Sequence, residues 1–182
     1  MLAFLDFEAS SLGDRSYPIE IAWVFADGTF ESYLIRPAAA WTDWSPVSQA
    51  IHGIGREVLL REGEAHGRVA ARTIEALAGH DLVASAPSWD GKWLSALLRA
   101  AGYPRRVLQL RRSADALREA AADILRPRFS GSGLEVAINQ ALAAAEAPFP
   151  PAHRALADAH AERQRWISVR LAAERIAQTC LT

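Results

Sequence analysis

The sequence predicts a mixed α/β fold in which a sheet, opened by a three-strand meander, is covered by helices. Two observations carry this. Residues 2–37 hold three apolar or alternating segments, the last two joined by Asp27-Gly28, a strong hairpin signal. Beyond residue 80, short apolar runs alternate with stretches of helical spacing. With 182 residues, 51% of them hydrophobic, the chain fits one domain, residues 1–182, with enough apolar material for a substantial core.

Taken in order, residues 2–7 read as a buried strand. "PIEIAWVFA" (18–26) is rich in β-branched and aromatic residues, and "TFESYLIRP" (29–37) alternates. Residues 41–46 read as loop, and short helices are expected at 46–51 and 55–62. A longer helix is expected at 65–79, where Val69, Ile74, Leu77 and Ala78 are apolar. "DLVAS" (81–85) is a short strand. Residues 88–102 place Trp89, Trp93, Leu94, Leu97, Leu98 and Ala101 on one stripe, which assigns Trp89 to the core, and Gly102 and Pro104 end that helix. "RVLQL" (106–110) reads as another strand. Helices follow at 113–125, at 132–145 and at about 154–178, with Pro148, Pro150 and Pro151 breaking the chain before the last.

Composition excludes some classes. Net charge is −1, so no global positive field attracts nucleic acid. The bases are nearly all arginine, Lys92 being the only lysine, and Arg105, Arg106, Arg111, Arg112 and Arg118 form the densest basic region. That region reads as a solvated face or as a phosphate contact. One cysteine, Cys180, cannot form an internal disulfide. No basic leader and no apolar run of ~20 residues is present, so a cytoplasmic protein that makes no membrane contact is expected.

Charge stands where the pattern does not ask for it. Asp6 and Glu8 lie two apart in the first strand and therefore share a face. Two carboxylates side by side repel, more so when buried, and need a shared proton, an arginine or a metal. Asp90 falls at the start of the helix at 88–102, where exposed amides favour an anion. His153 and Asp158 are five apart and cannot share a face mid-helix. Pro150 and Pro151 keep the chain out of helix until about residue 153, so His153 falls in the lead-in and Asp158 projects from the second turn. Singly, each has an ordinary reading: a frayed strand end, a helix N-terminal acid, a surface histidine and a surface aspartate.

The combination is more specific. "DFEASSLG", the "WD" ending at residue 90 and "HRALADA", in this order and across essentially the whole chain, resemble the DEDD superfamily of 3′→5′ exonucleases in its DEDDh subgroup. That subgroup includes bacterial proofreading exonuclease subunits, ribonuclease T and oligoribonuclease. "AIHGIG" (50–55) is similar to a segment many members carry between the first two motifs. Departures are Ala86, where the second motif usually has asparagine, and Ser10-Ser11 where glycine often follows the first.

The resemblance implies a ribonuclease H-like mixed sheet and hydrolysis of DNA or RNA from a single-stranded 3′ end. Asp6, Glu8, Asp90 and Asp158 would hold two divalent cations, Mg2+ or Mn2+, and His153 would be the general base. Ser10, Ser11, Leu12 and His52 are expected to hold the terminal nucleotide, main-chain amides taking the 3′-hydroxyl and Leu12 wedging against the last base. Whether a second copy of the chain, as in a homodimer, completes the site is left open. The competing readings are a nucleic-acid-binding or accessory domain without turnover, and a plain interaction domain whose acids are all solvated.

Overall fold

In β1 (Leu2–Ala9) the side chains alternate across the strand, and that alternation assigns them to two helical layers. Ala3, Leu5, Phe7 and Ala9 are buried on one face, in a core shared with α3 (His66–Leu77) and α4 (Pro87–Ala100). Phe4 is buried on the other, with Val83, Ala116 and Trp166. Asp6 and Glu8 have the parity of Phe4 and so face the second layer. The structure is a computed structural model and describes residues 1–146 and 151–179. Pro148, Pro150 and Cys180 lie outside the described residues.

β2 (Pro18–Phe25) and β3 (Phe30–Arg36) complete an antiparallel meander with β1, as the sequence predicts. The turn between them uses Gly28 at φ 97°, a region glycine enters without steric cost. β5 (Asp81–Ala84) and β6 (Leu110–Arg112) add parallel strands beside β1, and the two-residue β4 (Glu64–Ala65) pairs with β3. The order is β4-β3-β2-β1-β5-β6, a six-stranded mixed sheet. α1 (Pro46–His52) and α2 (Arg56–Glu62) follow the meander, and α2 packs on β3 through Leu59, which shares a small core with Tyr17 and Ile19. α5 (Ser113–Leu125), α6 (Gly131–Ala144) and α7 (Ala155–Thr179) build a second core around Leu117, Leu125, Ile138 and Val169.

Three expectations are corrected. β6 is Leu110–Arg112 and not residues 106–110, because Leu110, Arg111 and Arg112 pair with Leu82, Val83 and Ala84, and Arg111 forks onto Asp81. Asp158 stands in the first turn of α7, not the second. Trp89 is 38% exposed although it belongs to the apolar stripe, because at the start of α4 its side chain lines an open cleft. The rest of that stripe is core: Leu97 and Leu98 are fully buried, each worth roughly 2–3 kcal/mol. This anchors α4 and with it Asp90. Among the described residues no helix is long and apolar enough to cross a membrane.

Candidate active site

At the carboxyl ends of β1 and β5, the start of α4 and the start of α7 converge on a cleft of about 720 Å³. Asp6, Glu8, Asp90, His153 and Asp158 all line it. One carboxylate oxygen from each of Asp6, Glu8 and Asp158 lies within 4.8 Å of the others. Asp90 approaches from the α4 side. It is 3% exposed, and its Oδ2 is buried without a hydrogen-bond partner among the described residues.

The local sequence explains each placement. The β1–β2 register shifts between Glu8 and Ala9, an irregularity that ends the regular pairing just past Glu8. Pro87 sits in the first turn of α4, where its missing N–H costs nothing, and Asp90 follows in the same turn. Before α7, Asp158 Oδ1 accepts a hydrogen bond from the Ala152 main-chain N–H at 2.8 Å. Between them His153 has φ 53°, the left-handed region that few non-glycine residues enter. The exposed lead-in is therefore bent back over the acids.

The electrostatics follow from crowding. Burial, then the charges of Asp90, Glu8, Asp158 and Glu20, pushes the Asp6 carboxyl up to about 9. Burial, then Asp158 and Glu20, raises Glu8 to about 7, and burial raises Asp90 to about 7. Four acids whose ionised forms oppose one another, one with an orphaned oxygen, are a donor set that a hard divalent cation fits.

A fifth acid was missed by the sequence reading. Glu20, directly opposite Glu8 in the β1–β2 ladder, is 2% exposed. It does not join the cluster, because Arg154 Nε and Nη2 and the Ala155 N–H all donate to it. The signal available was a lone glutamate in an otherwise apolar strand.

The residues expected to hold a terminal nucleotide divide. Leu12 lines the cleft and is 68% exposed. Ser10 gives its main-chain N–H to the Tyr17 carbonyl while its Oγ accepts from the Tyr17 N–H. Ser11 Oγ donates to Asp43 and accepts from the Gly13 N–H. His52 is buried outside the cleft lining; its Nδ1 accepts from the Ile54 N–H, and its Nε2 has no partner among the described residues. Trp89, assigned to the core by its spacing, lines the cleft beside Asp90 and packs on Trp93, with the Lys92 ammonium 5.0 Å from its ring centroid. Lys92 also donates to the Gly13 carbonyl and to Ser16 Oγ, tying the loop after β1 to α4. In the arginine-rich region, Arg111 pairs with Asp81 and Glu119, and Arg118 with Glu135; none of the five arginines lines the cleft.

The fold is that of a known class of nuclease structures, the ribonuclease H-like exonuclease fold. No protein-family model matches the sequence, and no curated protein matches it. Among solved structures, the zinc-bound complex of E. coli exonuclease I with single-stranded DNA is similar over 99% of this chain and 42% of its own, with 18% identity and a TM-score of 0.68. E. coli exonuclease I in complex with a dT13 oligonucleotide is similar over 100% of this chain and 43% of its own, at 18% identity and a TM-score of 0.66. A moderately thermophilic exonuclease I from Methylocaldum szegediense is similar over 91% and 40%, at 20% identity and a TM-score of 0.64. The chain thus spans less than half the length of these exonucleases.

Proposed function

We propose that this chain is a 3′→5′ exonuclease of the DEDDh type that removes nucleoside 5′-monophosphates from single-stranded DNA or RNA. The observation that carries the reading is the meeting of Asp6, Glu8 and Asp158 oxygens within 4.8 Å in a cleft that Asp90 and His153 also line. The shared fold with exonuclease I structures, among them complexes with single-stranded DNA and with a dT13 oligonucleotide, supports it.

Asp6, Glu8 and Asp158 would hold one divalent cation, and Asp6 with Asp90 a second. Such a pair, Mg2+ or Mn2+, supplies the positive charge that stabilises the attacking and leaving oxygens of an in-line phosphoryl displacement. The chain's own groups do the rest. His153 takes the proton of the attacking water as the water oxygen bonds to phosphorus and the bond to the upstream 3′-oxygen breaks. The exposed Leu12 wedges against the terminal base, and Trp89 offers its face to a base. Lys92 holds the Leu12 loop against α4.

Digestion of 5′-labelled single- and double-stranded DNA and RNA tests this. The expected result is a ladder shortened one nucleotide at a time, dependent on Mg2+ or Mn2+, slowed strongly by a 3′-phosphate and little by a 5′-phosphate. Undiminished hydrolysis in excess chelator, or equal cleavage of circular and linear single strands, would overturn it. Binding without turnover would favour the accessory-domain reading.

A further inference from the structure

The face that α7 turns to the cleft carries Asp158, Ala161, Glu162 and Arg165, spaced i, i+3, i+4 and i+7 along one helical stripe. It begins at the acid cluster and ends, two turns on, at a guanidinium. The other charged groups lining the cleft are Asp6, Glu8, Asp90, Glu146 and His153, so Arg165 is the one arginine or lysine among the described lining residues. It is half-buried, and among the described residues it makes no hydrogen bond or ion pair. Glu162, three residues before it, accepts from Ser113 Oγ instead. The neighbouring arginines of α7 are occupied: Arg163 donates to the Phe25 and Ala26 carbonyls, and Arg170 lies 4.8 Å from the Trp166 ring centroid.

Holding a cation half-buried with no partner among the described residues, in a cleft whose other charged lining groups apart from His153 are acids, suits a ligand that brings its own negative charge. Seven residues of helix place Arg165 about 10 Å along the axis from Asp158. We propose that Arg165 is a backbone-phosphate subsite, binding a phosphodiester of the single strand that neighbours the scissile one. The planar guanidinium suits two phosphate oxygens at once. This rests on the exonuclease reading and adds the residue that would hold the strand in register while the acids act on its end.

Two substrates separate the possibilities. A single-stranded oligonucleotide offers neighbouring phosphates; the p-nitrophenyl ester of thymidine 5′-monophosphate offers only the one to be cleaved. With Mg2+ present, Arg165→Gln should raise KM for the oligonucleotide about tenfold, the worth of a charge-assisted contact. The slope of log(kcat/KM) against log salt should fall by about 0.7, one phosphate's share for a single strand. Arg165→Lys should keep that slope, and ester turnover should be unchanged in both variants. An unchanged oligonucleotide KM and slope in Arg165→Gln would overturn the subsite. Loss of ester turnover would also overturn it, by placing Arg165 on the scissile phosphate. A wild-type protein that cleaves neither substrate would instead remove the exonuclease reading itself.

Discussion

Arg154 lays its guanidinium across the buried carboxylate of Glu20, Nε to Oε2 at 3.1 Å and Nη2 to Oε1 at 2.8 Å. The two residues are 134 apart in sequence, and Glu20 stands opposite Glu8 in the sheet. The pair does two things. It offsets part of the charge of an acid that adds to the repulsion around Asp6, and it fastens the chain immediately after His153. On the other side of His153, Ala152 is fastened to Asp158. His153 is thus held between two anchored neighbours in a backbone conformation it would not choose alone.

Removing the arginine should therefore cost both stability and rate. Arg154→Met leaves Glu20 buried with only the Ala155 N–H, and about 2 kcal/mol of stability should be lost. Turnover should fall by at least tenfold because His153 loses one anchor. Adding Glu20→Gln removes the unpaired charge, so the double variant should regain most of the melting temperature but not the rate. Unaltered Tm and kcat in Arg154→Met would show that the pair does not hold this segment.

The acid cluster gives a pH signature readable without any substrate. Asp6 at about 9, with Glu8 and Asp90 at about 7, are all raised above their ordinary values, so the folded chain holds protons that the unfolded chain has released. Their contribution is fully present below the ordinary carboxylate range and is lost as pH rises through about 7 and then about 9. In chelator the melting temperature should accordingly decline from pH 5 to pH 8. Asp27, Glu31 and Asp81 are shifted the other way, and their loss falls at more acid pH, outside this window. Saturating Mg2+ should raise Tm by about 5–10 °C at pH 8 and by much less at pH 5. A metal effect equal at both pH values would contradict the assignment of these acids to a cation.

Ala86 supports a prediction of opposite sign. It caps α4 without a side-chain hydrogen bond and lines the cleft. Asparagine there can accept from the first-turn amides, so Ala86→Asn should raise stability by about 1 kcal/mol, read as a Tm increase of about 2–4 °C. No gain would mean that the φ of −125° and ψ of 62° at this position keep the side chain from reaching those amides.

What the sequence disclosed and what it hid divide along physical lines. Asp6, Glu8 and Asp90 were legible because strand alternation and helix starts are local rules, and charge in an apolar strand stands out. Glu20 was not, since its partner is fixed only when α7 packs back over β1 and β2. Trp89 misled because helical periodicity reports a stripe and not where that stripe opens onto a cleft. The β6 register misled because "RVLQL" has the apolar pattern, while pairing with β5 selects Leu110–Arg112.

The sharpest test separates His153 from Asp158. Asp158 is proposed as a cation ligand, and Asp158→Asn keeps an Oδ1 to accept from Ala152 while removing the charge. That variant should need more Mg2+ for half-maximal rate and lose the Mg2+-dependent rise in Tm, with the lead-in loop still in place. His153 is proposed as a base that touches no cation. Alanine would be strained at φ 53°, so asparagine, which tolerates positive φ, is the better replacement. His153→Asn should leave Mg2+ binding and KM close to wild type while lowering kcat by about 10²–10⁴-fold, the usual worth of a general base. It should also remove the imidazole's share of the acid limb of the pH–rate profile, because a protonated imidazole cannot accept the proton of water, while the share that comes from protonation of the cation-holding acids remains. Full turnover in His153→Asn with an unchanged pH profile would remove His153 from the reaction and the chain from the histidine-bearing subgroup, while leaving the carboxylate cluster and its cation untouched.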